Sequence, residues 1–356
     1  MRKLFHGLAM LRLMMPSAVA ALVLAASSCG AAAQTPEEFY RGRQITMLVG
    51  SGSGGGYDIY ARVWARHVTR HIPGNPVIVA KNMPAAAGVA AANALYNTSD
   101  KDGLTIAALT NGVALEPLSG NALARYDVQK MAWIGSIGKL QNVCAMWHSS
   151  PAKTIKDAQA REIIVAGAGA TSNSAIMPRI LNELIGTRFK IVAGYDPTAG
   201  LNLALERGEA EGICGLSWST LKASRPQWIR DRLLNVIVQV GVDKIADLPG
   251  VPSALELIAD EEARKVLLLI LIRQEIGRPF ALPPGVPADR VAALRRAFET
   301  TLADPEFRTE ADKSGMEIEP LAGATIEAML ATAYGAPRAI IARAIGLLEP
   351  KDAEKK

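Results

Sequence analysis

Short apolar runs alternate with helical patterns in the first part of the chain. The runs have the length and β-branched content of buried strands, and they are Ile45–Val49, Val77–Ala80 and Thr105–Leu109. Helical periodicity follows the first two runs, at Asp58–His71 and at Gly88–Leu95. This strand–helix–strand order predicts a parallel α/β sheet whose strands are buried on both faces.

The same order begins again after about residue 138. Further strands are predicted at Val143–Trp147, Ile163–Ala166, Lys190–Ala193, Gly212–Leu216 and Leu234–Val240. Further helices are predicted at Ile176–Ile185, Thr198–Arg207 and Asp289–Leu302. Val266–Ile272 is apolar enough for a buried strand or a buried helix, and Pro279–Pro287 is expected to be a Pro-rich crossing. The chain therefore predicts a second unit of the same α/β class.

The first 33 residues have the parts of a secretory signal peptide. Basic residues precede an apolar run from Leu13 to Ala26, and the segment ends in three alanines at Ala33. The run is short for a membrane span and lacks a basic flank after it, which disfavours an N-terminal anchor. We expect cleavage after Ala33 and export to the periplasm, with lipidation at Cys29 as the alternative.

Charge, histidine and cysteine content bear on which partners and metal sites are expected. The net charge of +5 falls to +2 without the three positive charges of the signal, so a nucleic-acid partner is not expected. Four scattered histidines and the lack of a Cys-x-x-Cys motif predict no metal site. Cys144 and Cys214 remain after cleavage. A periplasmic protein can pair them, but their apolar, strand-like surroundings favour two buried free thiols.

The segment from Gly50 to Asp58 carries the clearest chemistry. A predicted strand runs into a loop of Ser and Gly, and Tyr57 and Asp58 then open a helical pattern. Because such a loop has few side chains, its backbone N–H groups can point at a ligand, and the helix N-terminus adds positive potential. The segment therefore predicts a site for a negative group.

The same loop leaves a rival interpretation open. Its Gly50-x-Gly52-x-x-Gly55 spacing is that of a dinucleotide-binding turn, which would suit an NADP-dependent oxidoreductase. The second strand ends at Lys81 without the acid that holds a ribose, and the export signal also disfavours this reading. No Gly-Lys-Ser/Thr or Gly-x-Ser-x-Gly motif is present, which excludes a P-loop and leaves a serine hydrolase unsupported.

More loops of small and polar residues follow predicted strands, at Asn82–Gly88, Thr110–Gly112 and Gly167–Ser174. In open α/β sheets, ligands gather at the edge where such loops lie. An Ala-rich helix start, a polar turn and a Ser/Thr helix cap would explain the same loops without a ligand. If two lobes face these loops across a cleft, they can hold opposite ends of one small anion.

The ordered set of motifs resembles the Bug (TctC-like) family, the extracytoplasmic solute receptors of tripartite tricarboxylate transporters. Gly54–Asp58 matches the family's Gly-Gly-Gly-x-Asp, and Lys81–Gly88 corresponds to its Glu-Asn-Arg-Pro-Gly-Ala-Gly-Gly. Further matches follow in order, at Tyr40–Thr46, Lys101–Thr105, Leu109–Asn111, Pro151–Thr154, Leu248–Ser253 and Ala303–Glu306. Together they cover most of the chain after the signal.

This resemblance implies an α/β type II periplasmic-binding-protein (Venus flytrap) fold with two lobes. Lobe 1 is expected at residues 34–138 plus 273–356, and lobe 2 at 139–272. It implies a monomeric receptor that captures a small carboxylate and delivers it to membrane permease subunits, without enzyme activity, catalytic residues, cofactor or metal. A periplasmic sensor module that serves a signalling partner is the alternative.

The resemblance also assigns ligand-binding residues. They are Ser53, Gly54, Gly55, Gly56, Tyr57, Asp58, Ala86, Ala87, Gly88, Thr110, Asn111, Gly169, Thr171, Ser172, Ser174, Tyr195 and Asp196. Asp58 is expected to cap the helix or hold water rather than to contact an anion. Tyr57 replaces a small residue, so it either stacks on an aromatic ligand or packs at the lobe surface.

Other departures from the family pattern affect the same loops. Ala85 and Ala87 replace glycines, which predicts a narrower or stiffer loop. Gly215 stands where many members have an Asp, and Ala175 stands where a His is common. These changes leave the substrate less determined than the fold.

Overall fold

The computed structural model describes residues 34–169, 172–196 and 199–349. The predicted signal peptide, its cleavage site, the possible lipidation at Cys29 and the predicted site residue Thr171 lie outside these residues. Within the described ranges, no helix is long and apolar enough to cross a membrane.

Strands and helices alternate along the chain as the sequence predicts. The strands are β1 (Gln44–Val49), β2 (Val77–Asn82), β3 (Thr105–Ala108), β4 (Ala132–Ser136), β5 (Asn142–Trp147), β6 (Ile163–Ala166), β7 (Phe189–Val192), β8 (Gly212–Ser217), β9 (Leu234–Val240), β10 (Pro279–Leu282) and β11 (Leu321–Ala322). The helices are α1 (Pro36–Tyr40), α2 (Gly56–Val68), α3 (Val89–Asn97), α4 (Ile155–Ala160), α5 (Asn173–Ile185), α6 (Ala199–Glu206), α7 (Trp218–Ser224), α8 (Pro226–Arg230), α9 (Ala254–Leu257), α10 (Glu261–Ile276), α11 (Ala288–Ala303), α12 (Pro305–Lys313), α13 (Gly323–Tyr334) and α14 (Arg338–Leu348).

The first sheet has six strands in the order β11-β4-β10-β3-β1-β2. β1 runs parallel to β2 and β3, as predicted, but β10 runs antiparallel to β3 and β4. The predicted parallel pairing is therefore confirmed for the three predicted strands, and the sheet is mixed because β10 and β11 join it antiparallel. Pro279–Leu282, which was expected in a crossing, forms a fully buried strand of this sheet, and its Phe280 ring packs on Trp64 of α2 at 4.5 Å between centroids.

The second sheet has five strands in the order β7-β6-β8-β5-β9. β6 is parallel to β7 and β8, whereas β5 is antiparallel to β8 and β9. The pairing of β5 with β8 brings Cys144 beside Cys214, and the two form a disulfide. The prediction of two free thiols is wrong because the sequence does not reveal the antiparallel register that makes residues 70 positions apart neighbours.

The segment Val266–Ile272 is part of α10, which resolves the ambiguity between strand and helix. Its apolar residues pack into the core beside the second sheet, together with residues of α5 and α14. A helix covered on several sides loses the one-sided apolar stripe by which sequence periodicity identifies helices. The lobe boundaries at 138/139 and 272/273 stay predictions.

Candidate functional site

Three loops of the first lobe meet at the ends of β1, β2 and β3. A Cβ atom on Gly88 would lie 2.7 Å from Thr110 Oγ1 and 2.8 Å from the Gly50 carbonyl oxygen, so only glycine fits there. The Thr110 hydroxyl donates a hydrogen bond to the Ala87 carbonyl over 2.7 Å. The structure therefore brings together three of the four predicted loops, at the sheet edge where ligands are expected.

The Asp58 carboxylate is fully engaged in hydrogen bonds within this lobe. It accepts hydrogen bonds from the Gly54 N–H at 2.9 Å, from Arg62 Nε at 2.8 Å and from Asn82 Nδ2 at 2.8 Å. Burial opposes its ionisation, but the bonds from Arg62, Gly54 and Asn82 hold the pKa of Asp58 below its usual value. Its side chain is only 3% exposed, so Asp58 fixes the shape of the glycine loop.

Tyr57 joins two of the loops. Its hydroxyl oxygen accepts a hydrogen bond from the Asn111 N–H at 3.1 Å, at the start of the short 3₁₀ turn Asn111–Ala114. Burial raises the pKa of Tyr57, so the phenol stays neutral at physiological pH. The side chain therefore reaches across to the loop after β3, an arrangement that neither sequence-based alternative for Tyr57 anticipated.

The loop after β2 has an unusual backbone. Ala86 and Ala87 both adopt left-handed conformations, with φ values of 51° and 54°. L-amino acids with a Cβ rarely adopt this region, whereas glycine does so freely. The loop therefore keeps a backbone shape that suits glycine, although this chain places alanine in it.

The second-lobe loop at the start of α5 is tied by its own hydroxyl groups. Ser174 Oγ accepts the Ala168 N–H at 3.0 Å and lies 2.9 Å from Ser172 Oγ, while the Gly169 carbonyl accepts the Ser172 N–H at 2.8 Å. Ser174 is buried and Gly169 is exposed. These hydroxyl groups therefore serve first to hold the loop, and a role in ligand binding stays a prediction.

Two further parts of the second lobe contact this loop and the helix that follows it. The Gly167 carbonyl accepts the Tyr195 N–H at 3.2 Å, which ties the predicted pair Tyr195–Asp196 to the loop, and the Asp196 side chain is exposed. Gly215 has φ +70°, and a Cβ there would lie 2.3 Å from the Asn173 carbonyl oxygen. The close approach of β8 to α5 thus excludes an Asp at position 215.

A cavity of about 520 Å³ lies between the glycine loop and the second lobe. We call it the main cavity. The first lobe contributes Ser53, Gly54, Gly55, Gly56, Ile59, Tyr60, Ser314, Gly315 and Met316, and the second contributes Ala199, Asn202, Ser219, Thr220, Ser224 and Arg225. The other predicted site residues that the structure describes, from Tyr57 to Asp196, do not line it.

The main cavity favours a negative ligand. Of the described residues that line it, only Arg225 carries a charge, and none is acidic. Arg225 Nη1 donates to the Ser224 carbonyl at 2.9 Å, and no described acidic residue pairs with it. Hydroxyl and amide side chains of Asn202, Ser219 and Thr220 face the glycine loop across the cavity. Backbone N–H groups on one side and neutral polar groups with one guanidinium on the other suit a carboxylate.

Sequence reasoning missed the residues that α6 and α7 bring to this cavity. A signal for Ser219 and Thr220 was present, because β8 runs into Ser217-Trp218-Ser219-Thr220 at a helix start. This is the same succession of strand, small polar loop and helix that identified the other loops. Asn202 and Arg225 lie within or after helices, where their spacing gives no such signal.

The chain is similar to one curated protein over most of its length. It is 26% identical over 312 residues to a UPF0065 protein of Bordetella bronchiseptica, a match that covers 85% of this chain and 83% of that protein. No protein-family model matches the chain.

Solved structures share its fold. A TctC solute binding protein from Polaromonas superimposes with a TM-score of 0.66 at 21% identity, covering 87% of this chain and 99% of that one. A Rhodopseudomonas palustris protein with adipate gives 0.63 at 18% identity, covering 86% and 98%. MatC of the same organism, with bound malate, gives 0.60 at 19% identity, covering 86% and 99%. The predicted two-lobed fold and the resemblance to the Bug (TctC-like) receptors are therefore confirmed.

Proposed function

We propose that this chain is a periplasmic solute-binding protein that holds a small organic carboxylate in the main cavity and delivers it to membrane permease subunits. One observation carries the proposal. The main cavity lies between two lobes, is lined by the glycine loop, and has Arg225 as the one charged group among its described lining residues. Similar structures contain malate and adipate, which are small dicarboxylates.

The proposed contacts divide the site residues by role. Backbone N–H groups of Ser53 and Gly56 bind one carboxylate, because the Gly54 N–H already donates to Asp58 and the Gly55 N–H donates to the Gly52 carbonyl. Tyr57, Asp58, the turn Ala86–Gly88 and the pair Thr110–Asn111 fix the loops behind them. The second lobe binds through Ser219 and Arg225 of the cavity wall. Gly169, Thr171, Ser172 and Ser174, together with the pair Tyr195–Asp196, are proposed to approach the ligand when the lobes close.

Binding rather than catalysis follows from the proposed contacts. They come from backbone N–H groups, hydroxyl groups and one guanidinium. The acid beside the glycine loop, Asp58, is already hydrogen-bonded to Arg62, Gly54 and Asn82. A ligand that touches both lobes stabilises the closed arrangement, because only that arrangement completes both sets of contacts. A membrane partner can then distinguish the closed receptor from the open one.

Isothermal titration with malate, adipate and citrate tests the proposal. Replacing Arg225 with Met should lower the affinity for the best ligand by about tenfold or more, since a charge-assisted hydrogen bond contributes roughly 1.5–3 kcal/mol. Arg230→Met is the matched control, because it removes the same charge from an exposed position that pairs with Asp231. We expect this control to change affinity less than twofold.

Two results would contradict the proposal. One is the absence of binding or thermal stabilisation by any di- or tricarboxylate when NADPH stabilises the protein. The other is equal affinity of the wild type and the Arg225→Met variant for a carboxylate that binds both.

A further inference from the structure

A second, smaller cavity of about 230 Å³ lies on the other side of Tyr57. Gly56 lines the main cavity, the Tyr57 hydroxyl bonds to the Asn111 N–H, and Gly112 lines the smaller cavity. We call it the Arg273 cavity. Ile176 of α5 and Arg273 of α10 complete its wall, so it too is formed where different parts of the molecule meet.

Arg273 is a buried cation without a bound partner. The residue is 9% exposed, its Nε atom has no hydrogen-bond acceptor, and no described acidic residue forms an ion pair with it. Burial lowers the pKa of Arg273, while the nearby Tyr57 and Glu116 act in the opposite direction. Buried charges in folded proteins are nearly always paired, so an unpaired guanidinium requires an explanation.

The surroundings of Arg273 leave room for an acceptor. A Cβ atom on Gly112 would lie 3.4 Å from Arg273 Nη2, so the glycine keeps this space open. The neighbouring Asn111 is 5% exposed, and its Nδ2 atom also has no acceptor. A second buried donor that lacks an acceptor therefore belongs to the residue next to this glycine.

Acidic groups at the cavity set a limit on the ligand. Glu116 lines the cavity, but its Oε2 atom accepts a hydrogen bond from the Asn121 side-chain amide at 2.6 Å. This bond holds the Glu116 carboxylate against Asn121. Glu349 also lines the cavity. Both acids disfavour a ligand of high negative charge, and they leave Arg273 to bind a single small anionic group.

We propose that Arg273 is the counter-charge of a second carboxylate subsite, separated from the main cavity by Tyr57. This goes beyond the proposed function because it assigns a site that the main cavity does not include. The carboxylate is either the far end of a ligand held in the main cavity or a separate small acid. In both cases the guanidinium supplies the hydrogen bonds that a carboxylate accepts.

Titration of the full-length protein with sodium acetate, against sodium chloride at equal ionic strength, tests the subsite. We expect acetate to raise the melting temperature of the wild type. Arg273→Met should abolish this shift and weaken acetate binding by about tenfold or more. Arg230→Met, which removes an exposed charge that pairs with Asp231 and lines neither cavity, should leave the acetate response unchanged. The loss in Arg273→Met is read against this control, so the test stands even if the main cavity binds no acid.

Two other readouts separate binding from a structural role. Without ligand, Arg273→Met should melt at or above the wild-type temperature, because it removes an unpaired buried charge and keeps the aliphatic volume. Glu116→Gln should tighten acetate binding, because it removes a negative charge from the cavity wall. If acetate competes with adipate, the two carboxylates belong to one ligand; if both bind together, the subsite serves a separate acid.

An unchanged acetate response in Arg273→Met would overturn the proposal, as would a wild type that acetate does not stabilise. If Arg273→Met does not fold, Arg273→Gln takes its place, because Gln can still hydrogen-bond but carries no charge. An acetate affinity in that variant equal to the wild type would overturn the proposal equally.

Discussion

Two alanines of this protein adopt backbone conformations that L-residues rarely take, in the loop after β2. Ala86 and Ala87 hold φ values of 51° and 54°, a region in which a Cβ atom costs roughly 1–2 kcal/mol per residue. The packing of Gly88 against Thr110 and Gly50 fixes the loop in this shape. The strain is therefore maintained by the surrounding loops, as is common at functional sites.

Replacing Ala87 with Gly should raise the free energy of unfolding by about 0.5–1 kcal/mol, because relief of the left-handed strain exceeds the added entropy of the unfolded chain. Ala85 precedes the strained pair and is not among the residues with positive φ. Ala85→Gly is therefore the matched control and should lower the same free energy. Urea unfolding measures the free energy of unfolding of both variants. An equal decrease in the two variants would contradict the assignment of strain to Ala87.

At the scale of elements, apolar runs were sufficient to predict most strands. Ile45–Val49 and Leu234–Val240 are buried runs of the right length, and both form strands. Pro279–Leu282 was missed because it begins with proline, which a sheet accepts at the first residue of a strand. The three first-lobe loops of the site were predicted from their composition. The contributions of α6 and α7 depend on how the lobes face each other, which the sequence does not encode locally.

An ionic network joins α2 and the 3₁₀ turn after it to α12. Arg70 Nη2 lies 2.7 Å from Asp304 Oδ2, and His71 Nε2 lies 2.8 Å from the same oxygen. His67 Nε2 lies 2.6 Å from Glu310 Oε2, and Arg66 also pairs with Glu310. Although burial opposes its ionisation, the bonds from Arg70, the Glu306 N–H and His71 hold the pKa of Asp304 well below its usual value.

This lowered pKa makes part of the stability depend on pH. A carboxyl group with a lower pKa in the folded state stabilises the protein above its unfolded pKa of about 3.9, and the contribution is lost as pH falls below that value. Asp304→Asn keeps a side chain that can cap α12 but removes the charge. The variant should therefore unfold more easily at pH 7, and its difference from the wild type should shrink between about pH 5 and pH 3.

Urea unfolding at pH 7, 5, 4 and 3 measures this difference. Asp231→Asn is the control, because Asp231 pairs only with its exposed neighbour Arg230 among the described residues. We expect this control to track the wild type closely. A constant gap between Asp304→Asn and the wild type over the whole range would contradict the assignment.

At the scale of the whole molecule, an ion pair beside the main cavity joins the two lobes. Lys222 of α7 lies 2.5 Å from Glu317 Oε1 and 2.7 Å from Asp247 Oδ2. Glu317 belongs to the first lobe, where its backbone N–H donates to the Tyr60 hydroxyl at 2.9 Å. Ser314–Met316, which line the main cavity, immediately precede it. The pair therefore holds the two walls of the main cavity near each other.

Glu317→Gln should shift the ligand-free protein toward a more open arrangement. The effect will be small, since partly exposed ion pairs contribute about 1 kcal/mol or less. Small-angle X-ray scattering should show a larger radius of gyration for the ligand-free variant, and saturating carboxylate should reduce this difference. Asp247→Asn leaves the pair between the lobes intact and should scatter like the wild type. The same curve for Glu317→Gln and the wild type would show that the pair has no such role.

The disulfide between Cys144 and Cys214 has a practical consequence for handling the protein. It closes a loop of 70 residues that contains β6, β7 and the helices between β5 and β8, and such a cross-link stabilises a fold by about 4 kcal/mol. Both cysteines are fully buried, so a thiol reductant acts mainly when the second lobe opens or refolds. Production in a reducing cytosol, or refolding in a reducing buffer, would therefore yield a second lobe that lacks this cross-link and is less stable.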